Sequence, residues 1–100
     1  MTEEERFRLI DFLARSPEAG DLIPGTGGLR KLRWGGKSKG KSGGYRAIYY
    51  FFDRDVPIFL LAIYAKAMKE DLTSAEKKQL RDLAIILKAR AKTKRTAREQ

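Results

Sequence analysis

The stretch Leu29–Ala65, LRKLRWGGKSKGKSGGYRAIYYFFDRDVPIFLLAIYA, decides the fold. Leu29 to Trp34 reads as a short strand, with Lys31 and Arg33 alternating with Leu32 and Trp34. Gly35 to Gly44 holds only glycine, serine and lysine, so it has nothing to bury and serves as a hairpin connection. Tyr45 to Phe52 (YRAIYYFF) is dense in aromatic and β-branched residues and reads as a central strand. Asp53-Arg54-Asp55 makes the next turn, and Pro57 stands at a strand start, where a missing N–H is tolerated. Ile58 to Ala65 (IFLLAIYA) then forms the third strand.

Helices flank this block. Thr2-Glu3-Glu4-Glu5 has the form of a capping box, in which the threonine hydroxyl and the third glutamate exchange hydrogen bonds with the first-turn amides. Phe7, Ile10, Leu13 and Ala14 follow at helical spacing, and Ser16-Pro17 ends the helix because the residue before proline avoids the helical region. Gly20 to Gly28 (GDLIPGTGG) reads as a loop. Thr73-Ser74-Ala75-Glu76 is a second capping box, leading into a helix carried by Leu80, Leu83, Ala84 and Leu87. From Lys88 onward the apolar stripe is expected to fade into a basic helix extension or tail. The expectation is one α+β domain over residues 1–100, with 88–100 as that extension. Its small antiparallel sheet has three to four strands, between an N-terminal and a C-terminal helix.

Composition narrows the chemistry. The chain has no cysteine and no histidine, which excludes disulfides, the usual Cys/His zinc sites and histidine acid–base catalysis. The net charge of +9 is unevenly spread. Residues 1–28 hold three basic and six acidic side chains, residues 29–69 ten and two, and residues 70–100 nine and five. A centre this positive attracts a polyanion, most commonly nucleic acid. The apolar run near Ile58–Tyr64 is far too short to span a bilayer, and no signal-peptide pattern opens the chain, so a cytoplasmic location is expected.

Gly35, Gly40, Lys41 and Ser42 match the spacing of a phosphate-binding loop of nucleotide hydrolases. That loop works because a helix follows it and aims its N-terminal amides at the phosphate. Here Gly43-Gly44 and an aromatic strand follow instead. The lysines make better sense as contacts to a nucleic-acid backbone. Asp53 and Asp55 are explained by the turn, and no catalytic carboxylate pair is evident.

The run GDLIPGTGGLRKLRW (Gly20–Trp34), the Gly/Lys/Ser loop, GGYRAIYYFF (Gly43–Phe52), LLAIYAK (Leu60–Lys66) and EDLTSAEKKQL (Glu70–Leu80) together resemble the HigB-type branch of the RelE/ParE toxin superfamily. The resemblance spans roughly residues 16–87. It implies a compact RelE-like α+β toxin that cuts messenger RNA on the ribosome and is neutralised by a HigA-like helix-turn-helix antitoxin. The toxin–antitoxin pair would bind its own operator DNA. It places Arg46, in its Gly-Tyr-Arg setting, beside the scissile phosphate, and Lys66 where the family presents a further basic residue. Relatives commonly begin with a strand and a long helix that this sequence lacks, so a sheet edge open to a second copy is expected. Where relatives often carry Asn-Glu after the strand-end lysine, this chain has Ala67-Met68. If that pair orients a catalytic group, activity is lowered here.

RNA cleavage by transesterification needs a deprotonated 2′-OH, stabilisation of the phosphorane and a protonated leaving group. With no histidine, lysine must move the protons, and clustering of cations favours the neutral form of one member. An arginine stays charged and is suited to bidentate stabilisation of the phosphorane. The expected catalytic set is Arg46, Lys66, Lys39 and Lys41, with no cofactor and no metal. Arg30, Lys31, Arg33, Lys37, Lys69 and Tyr45 are expected to hold RNA, with tyrosines as stacking platforms and Tyr49 and Tyr50 mostly core. Two alternatives remain at this level: a non-enzymatic gyrase inhibitor of the ParE kind, and a decayed toxin that only binds its antitoxin and operator. A supercoiling assay separates the first, and expression without antitoxin separates the second.

Overall fold

The computed structural model describes residues 2–35, 44–68 and 71–99, with side chains through Thr93. Helix α1 (Glu3–Arg15) is followed by strands β1 (Asp21–Leu22), β2 (Leu29–Trp34), β3 (Tyr45–Tyr50) and β4 (Phe59–Ala65), and then by helix α2 (Ser74–Glu99). The strands form one antiparallel sheet in the order β1-β2-β3-β4. The α+β arrangement expected from sequence is therefore present. The GDLIPGTGG segment is more than a loop, because its Asp21 and Leu22 pair with Lys31 and Arg30 to make β1.

Both capping boxes form. Glu5 N–H donates to the Thr2 hydroxyl at 3.1 Å while Thr2 N–H donates to the Glu5 carboxylate at 2.9 Å. Glu76 N–H and Thr73 N–H make the same exchange at 3.1 and 2.9 Å at the start of α2.

Each face of the sheet carries one helix. Leu9 and Leu13 of α1 pack on Ala47 and Tyr49, joined by Leu32, Leu60 and Ile63. Ala84 of α2 packs on the other face with Ile48, Tyr50, Leu29 and Ile23, flanked by Leu80 and Leu87. This two-sided burial explains why β3 reads as an unbroken apolar run rather than an alternating one. In β4 a bulge resets the alternation: Ile48 pairs with Ala62 but Tyr49 pairs with Leu60, leaving Leu61 as the extra residue. Leu61 and Ala62 can then both pack on the α2 side.

Two helical faces differ from the sequence reading. Phe7 is 71% exposed and Ile10 is also exposed, whereas Leu9 and Leu13, one turn apart, carry the burial of α1. Leu13 of the expected stripe is thus buried, while Phe7 and Ile10 face outward. On α2 the stripe does not end at Leu87, because Ala91 is fully buried one turn later while Leu83 is partly exposed. The helix itself runs on to Glu99.

The β1–β2 connection is built around Thr26. Its buried hydroxyl donates to Ile23 C=O at 2.6 Å and accepts from Leu29 N–H at 3.2 Å. Gly25 and Gly27 on either side both have φ of 77°, a region costly for residues with a Cβ. Tyr49 ties the α1–β1 connection to the sheet. Its hydroxyl donates to Pro17 C=O at 2.7 Å and accepts from Gly20 N–H at 2.9 Å. A Cβ on Gly20 would stand 2.9 Å from that hydroxyl oxygen, so glycine is required by the close approach.

Candidate nucleic-acid interface

Alternation along β3 puts Arg46 on the α2 face, in line with Ile48 and Tyr50. The register sets Arg33 of β2 directly across from Arg46 and Tyr64 of β4 on its other side. Two residues along β2, Lys31 faces the same way, with Asp21 of β1 as its partner across the edge. Asp21, Lys31, Arg33 and Arg46 line one cavity of about 370 Å³. Three cations and one carboxylate share it.

Arg46 is only 7% exposed, and its Nη1 has no hydrogen-bond partner. Among the described residues no carboxylate pairs with it, although Arg33 stands opposite. Like charges directly across a sheet are unfavourable, and a buried donor left without an acceptor costs about 1–3 kcal/mol. Both features at one spot make this cavity a candidate site for an anion.

Lys31 is held from the other side. Its ammonium lies 3.2 Å from the Asp71 carboxylate, which precedes α2. Asp71 also accepts from Leu72 N–H at 2.9 Å. That backbone bond first, and Lys31 second, hold its carboxyl below the usual carboxylate range.

The matched family description is "RelE toxin of RelE / RelB toxin-antitoxin system", over residues 19–98. The chain belongs to the RelE toxin family. It is therefore the toxin of a toxin–antitoxin system, and a cognate antitoxin is its partner. The matched span contains the whole sheet and nearly all of α2, and so every residue lining the cationic cavity, while α1 precedes it.

The other basic residues singled out in this RelE-family sequence are placed apart from that cavity or outside the described residues. Arg30 points away from it along β2, donating from Nη1 to Glu18 C=O at 3.2 Å and Gly20 C=O at 2.8 Å. It clasps the α1–β1 connection. Lys66 follows Ala65 at the end of β4, is half-buried, and donates its backbone N–H to Gly44 C=O at 3.0 Å. It stands beside the start of β3, but is not among the residues lining the cavity around Arg46. Tyr45 lines a separate cavity of about 330 Å³ with Thr2, Arg6 and Tyr64. Lys37, Lys39, Lys41 and Lys69 lie outside the described residues.

Tyr49 and Tyr50 are buried, and desolvation pushes both phenols up from their ordinary value. They are core rather than stacking platforms. A mostly apolar cavity of about 440 Å³ lies on the α1 side among Ile10, Leu13, Phe51, Ile58 and Leu60. It brings no group of cations together. Sequence reasoning missed Asp21 and Asp71, neither of which carries a local signal. Each matters only through the fold, one by pairing across β1–β2 and the other by a contact forty positions along the chain from Lys31. No helix among the described residues is long and apolar enough to cross a membrane.

Proposed function

We propose that this RelE-family toxin is a HigB-type, ribosome-dependent endoribonuclease that cuts messenger RNA without a metal ion and so arrests translation. One observation carries the proposal: the buried Arg46, whose Nη1 lacks an acceptor, lines a cavity that it shares with Arg33 and Lys31. A phosphodiester supplies the missing acceptor.

In this reading the 2′-oxygen attacks phosphorus, the P–O5′ bond breaks, and a 2′,3′-cyclic phosphate and a 5′-hydroxyl result. Arg46 donates to a non-bridging oxygen, and its donation strengthens as that oxygen gains charge in the phosphorane. Arg33 and Lys31 hold flanking phosphates. With no histidine in the chain, one lysine takes the 2′-proton and another gives a proton to the departing 5′-oxygen. Lys66, Lys39 and Lys41 are the candidates for those roles. Arg30, Lys37, Lys69 and Tyr45 extend the RNA- and ribosome-binding surface in the same proposal.

The rest of the reading concerns partners. The antitoxin is a HigA-like helix-turn-helix protein through which the pair binds operator DNA, and the toxin works in the cytoplasm. Residues 1–100 act as one domain with 88–100 as a basic extension, and the outer edge of β4 is where a second copy would pair.

The test is primer extension on a message translated in a purified system beside the same message without ribosomes. Cuts are expected only in the translated sample. Arg46→Ala should lower the cleavage rate by about 10²–10³-fold, as loss of one transition-state donor does. An Arg46→Ala protein that cuts at the wild-type rate refutes the assignment, and inhibition of supercoiling without cleavage would replace it with the gyrase reading.

A further inference from the structure

Of the four ion pairs among the described residues, the one between Lys31 and Asp71 joins residues forty positions apart, in β2 and in the segment before α2. The other three lie within α1. Lys31 lines the cationic cavity, whereas Asp71 approaches it from outside and does not line it. The two partners are unequally buried, with side-chain exposures of 32% for Lys31 and 59% for Asp71.

That inequality matters. If the pair opened, Asp71 would be rehydrated easily and would keep its bond from Leu72 N–H. Lys31 would stay beside Arg33 and Arg46 in a cavity whose one lining carboxylate is Asp21. Asp71 is ionised at neutral pH, since its carboxyl is held low, so it is a true counter-ion for Lys31.

We propose that Asp71 is an intramolecular stand-in for RNA phosphate: it neutralises Lys31 in the free toxin and is displaced when a phosphodiester enters the cavity. The proposal rests on the RNA-cleaving reading above and adds to it a built-in competitor that weakens binding to RNA in general. Each phosphate that reaches Lys31 must break an existing contact. The cation excess is thereby tempered until RNA occupies Arg33 and Arg46 as well.

The experiment uses the full chain and a fluorescent single-stranded RNA with 2′-O-methyl groups, which cannot be cleaved. Anisotropy titrations over a range of KCl compare wild type, Asp71→Asn, Lys31→Gln and the double variant. Asparagine keeps the shape and the acceptor for Leu72 N–H while removing the charge. Asp71→Asn should bind about two- to fivefold tighter at low salt, the range expected for release of an exposed ion pair. That gain should shrink as KCl rises, because salt already weakens the exposed Lys31–Asp71 pair in wild type. Both effects should vanish in the Lys31→Gln background.

Unchanged or weaker binding by Asp71→Asn overturns the proposal and makes the pair a strut. An equal gain in the Lys31→Gln background also overturns it, since the effect is then the general field of one charge. Asp71→Ser, which also keeps an acceptor for Leu72 N–H, serves as a second variant should the asparagine protein fail to fold. An Arg46→Ala arm separates the two levels. Binding that depends on Arg46 but ignores Asp71 removes only this inference, whereas binding indifferent to Arg46 removes the functional reading with it.

Discussion

Replacing Arg46 by methionine should make the protein more stable while abolishing cleavage. The guanidinium is 7% exposed, its Nη1 has no acceptor, and Arg33 stands opposite it. The buried donor without a partner costs about 1–3 kcal/mol, and the like-charge cross-strand pair adds about 0.2–1 kcal/mol. Methionine has a similar length, removes both penalties and adds apolar surface next to Ile48 and Tyr50. A gain of about 1–3 kcal/mol is expected, in line with apolar replacement of buried ions elsewhere. For a domain this size each kcal/mol raises Tm by about 4–8 °C. Urea unfolding followed by circular dichroism at low salt measures the difference directly. Repeating it with sodium sulfate adds a second sign. Sulfate that binds the folded cavity stabilises wild type by mass action, and that site-specific increment should be missing from Arg46→Met. The reasoning fails if Arg46→Met is less stable than wild type by about 1 kcal/mol or more, because the guanidinium would then be held by favourable contacts and would not be waiting for an anion.

Other perturbations test the scaffold that positions this cavity. Tyr49→Phe strips the acceptor from Gly20 N–H and the donor from Pro17 C=O, both buried contacts, and should cost about 1–3 kcal/mol in urea unfolding. Burial raises the Tyr49 and Tyr50 pKa values, chiefly by desolvation, so both phenols stay neutral in the fold. Their contribution to stability is therefore complete below the ordinary tyrosine value of about 10 and is lost as pH climbs through their raised values. Absorbance near the phenolate band should show the Tyr49 and Tyr50 phenolates appearing only as the protein unfolds. Thr26→Val removes the hydroxyl that bridges Ile23 and Leu29, and should cost about 1–3 kcal/mol, while Thr26→Ser should retain most of the stability. Equal stability of the two Thr26 variants would show that the bridge contributes nothing.

Much of the fold was legible because local chemistry and tertiary outcome agree. YRAIYYFF could only be a buried strand, and two Thr-x-x-Glu patterns marked both helix starts within a residue. The misreadings share a cause. Phe7 and Ile10 are as apolar as Leu9 and Leu13, and helical periodicity alone does not say which arc meets the sheet. Asp21 and Leu22 look like loop because a two-residue edge strand has no period to detect; it exists only through its pairing with Arg30 and Lys31. The site divides the same way. The Gly-Tyr-Arg setting singles out Arg46 through the resemblance alone, and its place among Arg33, Lys31 and Asp21 is a matter of register across three strands. A one-residue slip of β2 against β3 would turn Arg33 and Lys31 to the α1 side and bring Leu32 or Trp34 opposite Arg46. The cationic cavity is thus a product of strand register. That register is held by buried neighbours such as Leu29 opposite Tyr50 and by the Thr26 turn, neither of which touches an anion. Under the proposed function, changes in that turn should therefore lower RNA cleavage at a distance, by shifting which side chains of β2 stand opposite Arg46.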